Sequence, residues 1–247
     1  MQGVVGVVLA AGSGTRLRPL TRLRPKPLCP IDNVPLVDLA LERLAGAVDD
    51  VAVNVHHGRE ALDLHLDGRV HLSHEEREPL GTGGALGLLR PWIDGRPVAV
   101  LNADAWCPGS LASFVGDWDG ERIRLLLAGD DELGPRSGIA GALMPWSAVA
   151  PLPAEPVGLY EASWRAAQAE GALEVVRHDG PFVDCGTPAQ YLAANLAASQ
   201  GASVIGEGAD VQGEVLRSVV WAGNLVRRGE LLVDAIRADD HVTVLVR

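Results

Sequence analysis

Short runs of apolar residues alternate with amphipathic segments over the first half of the chain. Apolar runs of this length are typical of strands buried on both faces of a parallel sheet, and apolar residues at helical spacing indicate crossover helices. We therefore expect an α/β fold with a mostly parallel sheet and a ligand crevice at the carboxyl ends of its strands. The pattern predicts strands at 4–9, 51–55, 70–73, 98–101 and 123–128, and helices at 36–44, 59–66 and 83–89, the last ended by Arg90 and Pro91.

The second half of the chain is less regular. From residue 202 onward, apolar residues and glycines recur at intervals of about six, with one interruption between 211 and 220, which is the spacing of a parallel β-helix. We therefore predict a domain at 1–201 and a short left-handed β-helix-like appendage at 202–247, with a small irregular β appendage as the alternative. Before the appendage the pattern predicts a loop at 129–138, a strand at 139–144, a helix at 159–170, a strand at 173–176 and a helix at 188–198.

Charge narrows the range of partners more than composition does. The 247 residues are 47% hydrophobic, enough for a sizeable core, and carry a net charge of −11. Residues 1–31 nevertheless hold five basic side chains and no acidic one. This argues against nucleic acid as a partner and favours a small anionic ligand held at one local positive site.

Cysteine usage and the N-terminus indicate the compartment. Cys29, Cys107 and Cys185 lack CxxC spacing and are odd in number, which predicts reduced packing thiols rather than disulfides or a zinc site. No window approaches the ~18 apolar residues of a membrane span. Residues 1–3 lead directly into a strand-like run, without a basic segment or a cleavage site. We expect a cytoplasmic protein without a membrane partner.

The positive site lies in the stretch GSGTRLRPLTRLRPKPL, residues 12–28. Gly12 and Gly14 follow the first predicted strand, where the missing Cβ atoms let backbone N–H groups approach an anion. The spacing fits neither GxGxxG, since residue 17 is leucine, nor GxxxxGK[ST], since the lysine comes too late. Lys26 is the one lysine among 21 basic residues, which indicates a site that needs a compact ammonium rather than a guanidinium fork.

Together these residues resemble the signature of the sugar-1-phosphate nucleotidylyltransferases, GxGTRLxPLTxxxPKP, which LAAGSGTRLRPLTRLRPKPL matches almost throughout. The resemblance implies a Rossmann-like domain of the nucleotide-diphospho-sugar transferase type. It also implies that an NTP and a sugar-1-phosphate are the substrates and that Arg16 and Lys26 are the catalytic cations. The nucleotide-binding residues implied in this stretch are Ala11, Gly12, Ser13, Gly14 and Thr15.

Three further segments agree with that family in order and spacing. EPLGTGGAL, residues 78–86, resembles its nucleobase loop. LNADAW and FVDCGTPAQYLAAN resemble its two magnesium-binding segments, which makes Asp104 and Asp184 the implied Mg²⁺ ligands. Phe182 stands where the family usually has tryptophan, so a stacking surface for the substrate is kept while a hydrogen-bond donor is lost. The nucleobase-loop residues implied are Glu78, Gly81, Thr82 and Gly83.

The middle of the chain departs from the family, because it has no lysine for the Glu-Lys pair that meets the sugar and its phosphate. Sugar binding is then rebuilt, with Arg136 beside Gly138 as the phosphate anchor, or it is reduced or lost. Two alternatives stay open: nucleotidyl transfer to another phosphate acceptor such as phosphocholine, and a non-catalytic nucleotide-sugar-sensing subunit. LGTGG resembles the guanylyltransferase branch, which includes mannose- and heptose-1-phosphate enzymes, more than the thymidylyl branch, and uridylyl transfer stays open.

The appendage also predicts an assembly. The ends and apolar flank of a short β-helix need a partner, so we expect a homodimer or a larger homo-oligomer through residues 202–247. Every motif of the nucleotide site precedes residue 202. We therefore expect that site to survive removal of the tail.

Overall fold

The computed structural model describes residues 3–129 and 132–246. Residues 130 and 131, in the predicted loop 129–138, lie outside the described residues, as do 1, 2 and 247. The chain forms two compact units, one from residues 3–12, 37–103 and 107–182, the other from 13–36, 104–106 and 183–246. The helices are α1 (Leu36–Leu44), α2 (Arg59–Leu66), α3 (Gly81–Ile93), α4 (Ala112–Gly116), α5 (Trp146–Val149), a π-helical turn (Tyr160–Trp164), α6 (Arg165–Ala169) and α7 (Pro188–Ala198).

Nineteen strands lie in the described residues, and the seven that belong to the first unit form one sheet. The strands are β1 (Val5–Leu9), β2 (Pro30–Ile31), β3 (Val34–Pro35), β4 (Val51–Val55), β5 (His71–His74), β6 (Val98–Asn102), β7 (Ala105–Trp106), β8 (Ile123–Ala128), β9 (Gly138–Met144), β10 (Leu173–His178), β11 (Val183–Asp184), β12 (Val204–Ile205), β13 (Asp210–Val211), β14 (Glu214–Leu216), β15 (Val219–Val220), β16 (Leu225–Val226), β17 (Leu231–Val233), β18 (Ala235–Asp239) and β19 (Val242–Leu245).

The sheet of the first unit has the strand order β10-β8-β9-β6-β1-β4-β5. β9 is antiparallel to both of its neighbours, whereas the other four pairs are parallel. β1 lies between β6 and β4, and all three are valine-rich because both faces of the sheet are buried. This confirms the predicted α/β class with a mostly parallel sheet.

The predicted end of the helix before Pro91 is wrong. α3 continues to Ile93 with Pro91 inside it, and Leu86, Leu89 and Ile93 pack in the core against the sheet. A proline lacks the N–H that would bond the carbonyl four residues earlier. Here the Nε of Arg90 donates to that carbonyl, Gly87 O, at 3.0 Å, which satisfies the acceptor and lets the apolar face continue.

The second unit contains the many short strands of the tail. Three parallel pairings, β12 with β15, β13 with β16 and β14 with β17, join residues about 15 to 17 positions apart. β15 also pairs in parallel with β18, and β19 then turns back antiparallel on β18. Val220, Val226, Leu232 and Ala235 form the buried centre of these strands. None of the helices in the described part of the chain combines the length and the hydropathy that crossing a bilayer requires.

Candidate functional site

Four charged side chains from three distant segments meet in the second unit. The Nζ of Lys26 lies 3.0 Å from Asp104 Oδ2 and 3.5 Å from Asp184 Oδ1, and Arg16 Nη2 lies 3.5 Å from Asp184 Oδ2. The Lys26 side chain is only 7% exposed, whereas the side chains of Arg16, Asp104 and Asp184 are 68%, 47% and 41% exposed. The cluster therefore combines a buried ammonium with two carboxylates and a guanidinium that remain open to solvent.

A two-stranded pairing brings the aspartates together. β7 pairs antiparallel with β11, with Asp184 opposite Ala105. The Cys185 N–H donates to the Asp104 carbonyl at 3.0 Å, directly beside this pairing. Because the main chain makes these bonds, the two carboxylates are positioned without depending on their own side-chain contacts.

Gly14 shapes the loop that carries both cations. It has a φ of +60°, and the 3-10 turn Thr15–Leu17 that holds Arg16 begins directly after it. A Cβ at position 14 would lie 2.9 Å from Thr21 Cγ2 and 3.0 Å from Lys26 Cβ. Both the backbone conformation and the close approach of Lys26 therefore favour glycine here.

The first residues of the loop that begins at Gly12 are exposed to solvent. Gly12 is exposed, and a Cβ built there would meet no heavy atom within 4 Å. Ser13 and Thr15 are exposed as well, whereas Ala11 is buried and its carbonyl lies 3.0 Å from His57 Nδ1. Packing within the protein does not explain Gly12, and close approach of a ligand to its N–H stays a prediction.

The predicted nucleobase segment packs against a neighbouring stretch of the first unit. Gly81 has a φ of +68°, and a Cβ there would lie 2.7 Å from the Val157 carbonyl oxygen. The Gly83 N–H donates to the same oxygen at 2.9 Å, and Thr82 Oγ1 accepts from the Leu159 N–H at 2.7 Å. These contacts account for the glycines by packing, so direct contact with a nucleobase stays a prediction.

The predicted acceptor residues of the first unit are partly brought together. A Cβ at Gly138 would lie 2.9 Å from Phe182 Cε1, so the phenyl ring lies against the backbone of Gly138. Arg136 is exposed on the preceding loop, and Glu78 is exposed before α3. A phosphate-binding role for Arg136 therefore stays a prediction.

A cavity of about 210 Å³ lies in the first unit, at the carboxyl ends of strands where a ligand crevice was expected, but most of its lining was not predicted. It lies at the ends of β1 and β6, where Leu9 and Asn102 reach it, and the π-helical turn contributes Glu161 and Trp164. Trp164 Nε1 is buried and has no hydrogen-bond partner among the described residues. The chain pattern could not indicate that Glu161 and Trp164 line this cavity, because 159–170 reads as a regular amphipathic helix and a π-helical turn has no periodic signature.

The three cysteines are buried free thiols. Burial raises the pKa of Cys29 and of Cys185 to about 12, and burial also raises the pKa of Cys107. Raised pKa values keep these thiols protonated at neutral pH and therefore poorly nucleophilic. They are packing residues, as their spacing predicted.

Comparison with known proteins finds similarity to one family over part of the chain. Residues 5–122 match the Nucleotidyl transferase family model. The chain is 35% identical over 136 residues to the N-acetylmuramate alpha-1-phosphate uridylyltransferase of Caulobacter vibrioides. The matched stretch covers 50% of this chain and 56% of that protein. It is 39% identical over 111 residues to the mannose-1-phosphate guanyltransferase of Debaryomyces hansenii, covering 41% of this chain and 31% of that protein. The chain thus spans about half or less of the length of these curated relatives.

The fold likeness extends further along the chain than the sequence likeness. A solved structure from Thermus thermophilus, described as a mannose-1-phosphate geranyltransferase, superposes with a TM-score of 0.72 at 20% identity. It covers 98% of this chain and 95% of that one. At this identity the likeness shows the fold alone. Residues 5–122 therefore match the nucleotidyl transferase family, and over part of its length the chain is similar to enzymes that transfer nucleotides to sugar phosphates.

Proposed function

We propose that this protein is an enzyme that transfers a nucleotidyl group from an NTP to a sugar-1-phosphate and releases pyrophosphate. The observation that carries the proposal is the buried Lys26 ammonium in contact with both Asp104 and Asp184. A cation and two carboxylates at this spacing suit phosphoryl transfer, which depends mainly on positioning and on neutralising charge. The family match over residues 5–122 supports the same reaction class.

Residues 11–15 and the segment 78–83 are proposed to bind the nucleotide. The open space at Gly12 supports the first of these assignments, because a phosphate can approach its N–H closely. The two relatives differ in their nucleotide, one being a uridylyltransferase and the other a guanyltransferase. LGTGG favours guanine, and uracil remains the alternative.

The charge of the cluster defines the roles of its members. Arg16 and Lys26 together offset Asp104 and Asp184, so the cluster is neutral before an NTP brings its own negative charge. An oxygen of the acceptor phosphate attacks the α-phosphorus in line, and pyrophosphate leaves. Arg16 and Lys26 are the cations proposed to stabilise the charge that develops on the leaving group. No general base is required, because the attacking phosphate is already ionised at neutral pH.

The residues present fit a magnesium ion, which we propose as the cofactor. Magnesium prefers oxygen ligands and is usually held by one or two carboxylates together with substrate phosphates. Asp104 and Asp184 provide two solvent-open carboxylates that contact the same nitrogen atom. Within residues 3–129 and 132–246, no group of three or more His, Cys, Asp or Glu side chains could hold a metal. When bound, magnesium would neutralise phosphate charge, with water and phosphate oxygens as its other ligands.

The cavity of the first unit is proposed to hold the acceptor. Glu161 and Asn102 line it, and they supply hydrogen-bond acceptors and donors for hydroxyl groups. Ser137 and Ile139 also line it and flank Gly138 in the chain, next to the ring of Phe182. A carboxylate from the π-helical turn would then take over sugar contacts that the family makes with its Glu-Lys pair. Arg136 remains the proposed phosphate anchor.

We expect pyrophosphate release when the protein is incubated with Mg²⁺, one NTP and one sugar-1-phosphate. The assay combines GTP, UTP, dTTP, CTP and ATP with a panel of sugar-1-phosphates and with phosphocholine. GTP with a hexose- or heptose-1-phosphate is the combination expected to be most active. Activity with phosphocholine alone would replace the sugar acceptor by the second candidate. Nucleotide-sugar binding without turnover would indicate a sensing subunit.

The tail is proposed to be a short left-handed β-helix, with residues 1–201 as the nucleotidyltransferase domain and 202–247 as its appendage. The separation of about 15 to 17 residues between parallel partners supports this, because three six-residue sides make a coil of similar length. Three successive pairings of this kind follow each other along the chain.

The contacts of Trp221 argue against the expectation that the nucleotide site survives removal of the tail. Its indole is 1% exposed, and the Arg24 guanidinium lies 4.2 Å from its ring centre. Its Nε1 donates to Tyr191 Oη at 3.0 Å, and that hydroxyl donates in turn to the Pro30 carbonyl. Arg24 and Pro30 flank Lys26 in the chain, so the tail supports the loop that carries the proposed catalytic lysine.

We expect the full chain to form a dimer or a larger assembly through the outer face of the β14–β17 pair. Leu216 and Leu231 are 50% and 56% exposed there, and burying them against another copy is favourable. The double variant Leu216→Glu with Leu231→Glu should be monomeric by light scattering. Leu64→Glu, at an 83% exposed leucine of α2, is the matched control and should not change the assembly. A monomeric unmodified protein, or an unchanged oligomer in the double variant, would contradict the proposal.

A further inference from the structure

Two buried polar side chains of the first unit connect the end of β1 with the start of α3. Asn54, 3% exposed, accepts a hydrogen bond at Oδ1 from the Ala10 N–H at 2.7 Å. Its Nδ2 donates to Glu75 Oε1 at 2.6 Å. Glu75, also 3% exposed, accepts at Oε2 from the Leu80 N–H at 2.8 Å. One chain of hydrogen bonds therefore runs from Ala10 through Asn54 and Glu75 to Leu80.

The direction of each bond is determined. A main-chain N–H can only donate, so the amide oxygen of Asn54 must face Ala10 and its NH₂ must face Glu75. Glu75 then faces two donors, Asn54 and Leu80, and a carboxylate is the side chain that accepts from both. No cationic side chain pairs with Glu75 among the ion pairs of the described residues. Burying an unpaired carboxylate costs free energy, and packing alone would favour an apolar residue.

We propose that Glu75 is a positioning residue that holds the two nucleotide-binding segments in register. The inference rests on the proposed function. Ala10 directly precedes Ala11 and Gly12, and Leu80 directly precedes Gly81. Glu75, acting through Asn54, therefore links the residue that precedes the phosphate-binding segment to Leu80 within the nucleobase-binding segment. Replacing Glu75 should therefore change the affinity for the nucleotide. The acceptor is proposed to bind to other residues, and the charged cluster is held in place by other residues.

The polarity of the network provides a specific test. Glu75→Gln places an amide donor opposite Asn54, so two donors face each other or the Leu80 N–H loses its acceptor. Asn54→Asp alone places two buried carboxylates against each other. The double variant Asn54→Asp with Glu75→Gln reverses the central bond: the new carboxylate accepts from Ala10 and from the new amide, whose oxygen accepts from Leu80. All three bonds are then restored with the same net charge.

We expect Glu75→Gln to raise both the Kd and the KM for the NTP about tenfold, the effect of disrupting one buried hydrogen-bonded contact. The KM for the sugar-1-phosphate should stay within about twofold, and the double variant should recover NTP affinity to within about threefold of the unmodified protein. Glu76→Gln changes the neighbouring carboxylate, whose side chain is 69% exposed, and serves as the matched control. Binding is measured by titration with the same NTP and Mg²⁺, and folding by circular dichroism.

Several outcomes would overturn the inference. An unchanged NTP affinity in folded Glu75→Gln would do so, as would a double variant no better than the worse single one. If Glu75→Gln does not fold, Asn54→Ser takes its place, because it leaves the hydrogen bond from Leu80 to Glu75 intact. An unchanged NTP affinity in Asn54→Ser would also overturn the inference. An unmodified protein that binds NTP without releasing pyrophosphate contradicts the proposed function and leaves the binding comparison valid. One that binds no NTP contradicts both.

Discussion

Lys26→Ala should lower the rate of pyrophosphate formation by two orders of magnitude or more. Removing a preorganised group that stabilises charge in the transition state typically costs ~3 kcal/mol, which corresponds to a factor of about a hundred. The effect should fall on kcat, because the ammonium is worth most when charge develops on the leaving pyrophosphate. The measurement is steady-state kinetics with the best NTP and acceptor from the substrate panel.

The protein should remain folded after this change. Asp104 and Asp184 lose their shared cation, but both are open to solvent, where repulsion between carboxylates is well screened. The loop itself is supported by bonds that do not involve the lysine head group, including Thr21 Oγ1 to the Gly14 carbonyl at 2.9 Å. Thermal unfolding followed by circular dichroism should therefore show a small shift only.

Two companion variants make the lysine test specific. Lys26→Arg keeps the charge but places a larger, planar group in a site where the native side chain is 7% exposed, so activity should also fall. Arg22→Ala removes one exposed positive charge from the same stretch and should leave activity unchanged. Full activity in Lys26→Arg would show that the chain does not need a lysine here. Near-normal activity in Lys26→Ala would remove Lys26 from the mechanism.

Asp104→Asn and Asp184→Asn should each reduce magnesium-dependent turnover to near background. An amide keeps the size of the side chain and can still accept from Lys26, but it is a much weaker ligand for a hard cation than a carboxylate. The fold should be retained, since the Asp104 carbonyl and the β7–β11 pairing are main-chain interactions. Turnover is measured as a function of Mg²⁺ concentration at saturating NTP.

The control for the aspartates is Asp179→Asn, at an exposed carboxylate just before β11, which should behave as the unmodified protein. If only one of the two variants lost activity, the ion would be held by a single protein carboxylate. Full activity in both, at every Mg²⁺ concentration, would contradict the proposed metal ligands. Such a result would leave the family assignment of residues 5–122 untouched.

Local signals predicted several elements of the fold with the bounds that the structure shows. α1, α2 and α7 span 36–44, 59–66 and 188–198 as the sequence indicated. Each is bounded by glycine or proline, or capped by a side chain such as Thr187, whose Oγ1 accepts from the Gln190 N–H. These signals act within a few residues, so they can be recognised without knowing the fold.

The sequence mispredicted two helices, because in each the structure departs from the usual local rules for helix ends and regular helical turns. α3 passes through Pro91 because Arg90 satisfies the Gly87 carbonyl and the apolar face continues into the core. The helix predicted at 159–170 begins with a π-helical turn, which places Glu161 and Trp164 on the cavity. Neither result follows from helix propensity, because both depend on what the helix packs against.

By itself, the sequence determined the α/β class, the positions of the main strands along the chain and the residue types expected to meet a phosphate, since these depend on local periodicity and on side-chain chemistry. The resemblance over residues 12–28 added the reaction class that we propose. Only the tertiary structure decided that Lys26 contacts aspartates 78 and 158 residues away, and that Asn54 and Glu75 join Ala10 to Leu80. Such contacts depend on which strands pair and in what register, and no local pattern in a single chain encodes that pairing.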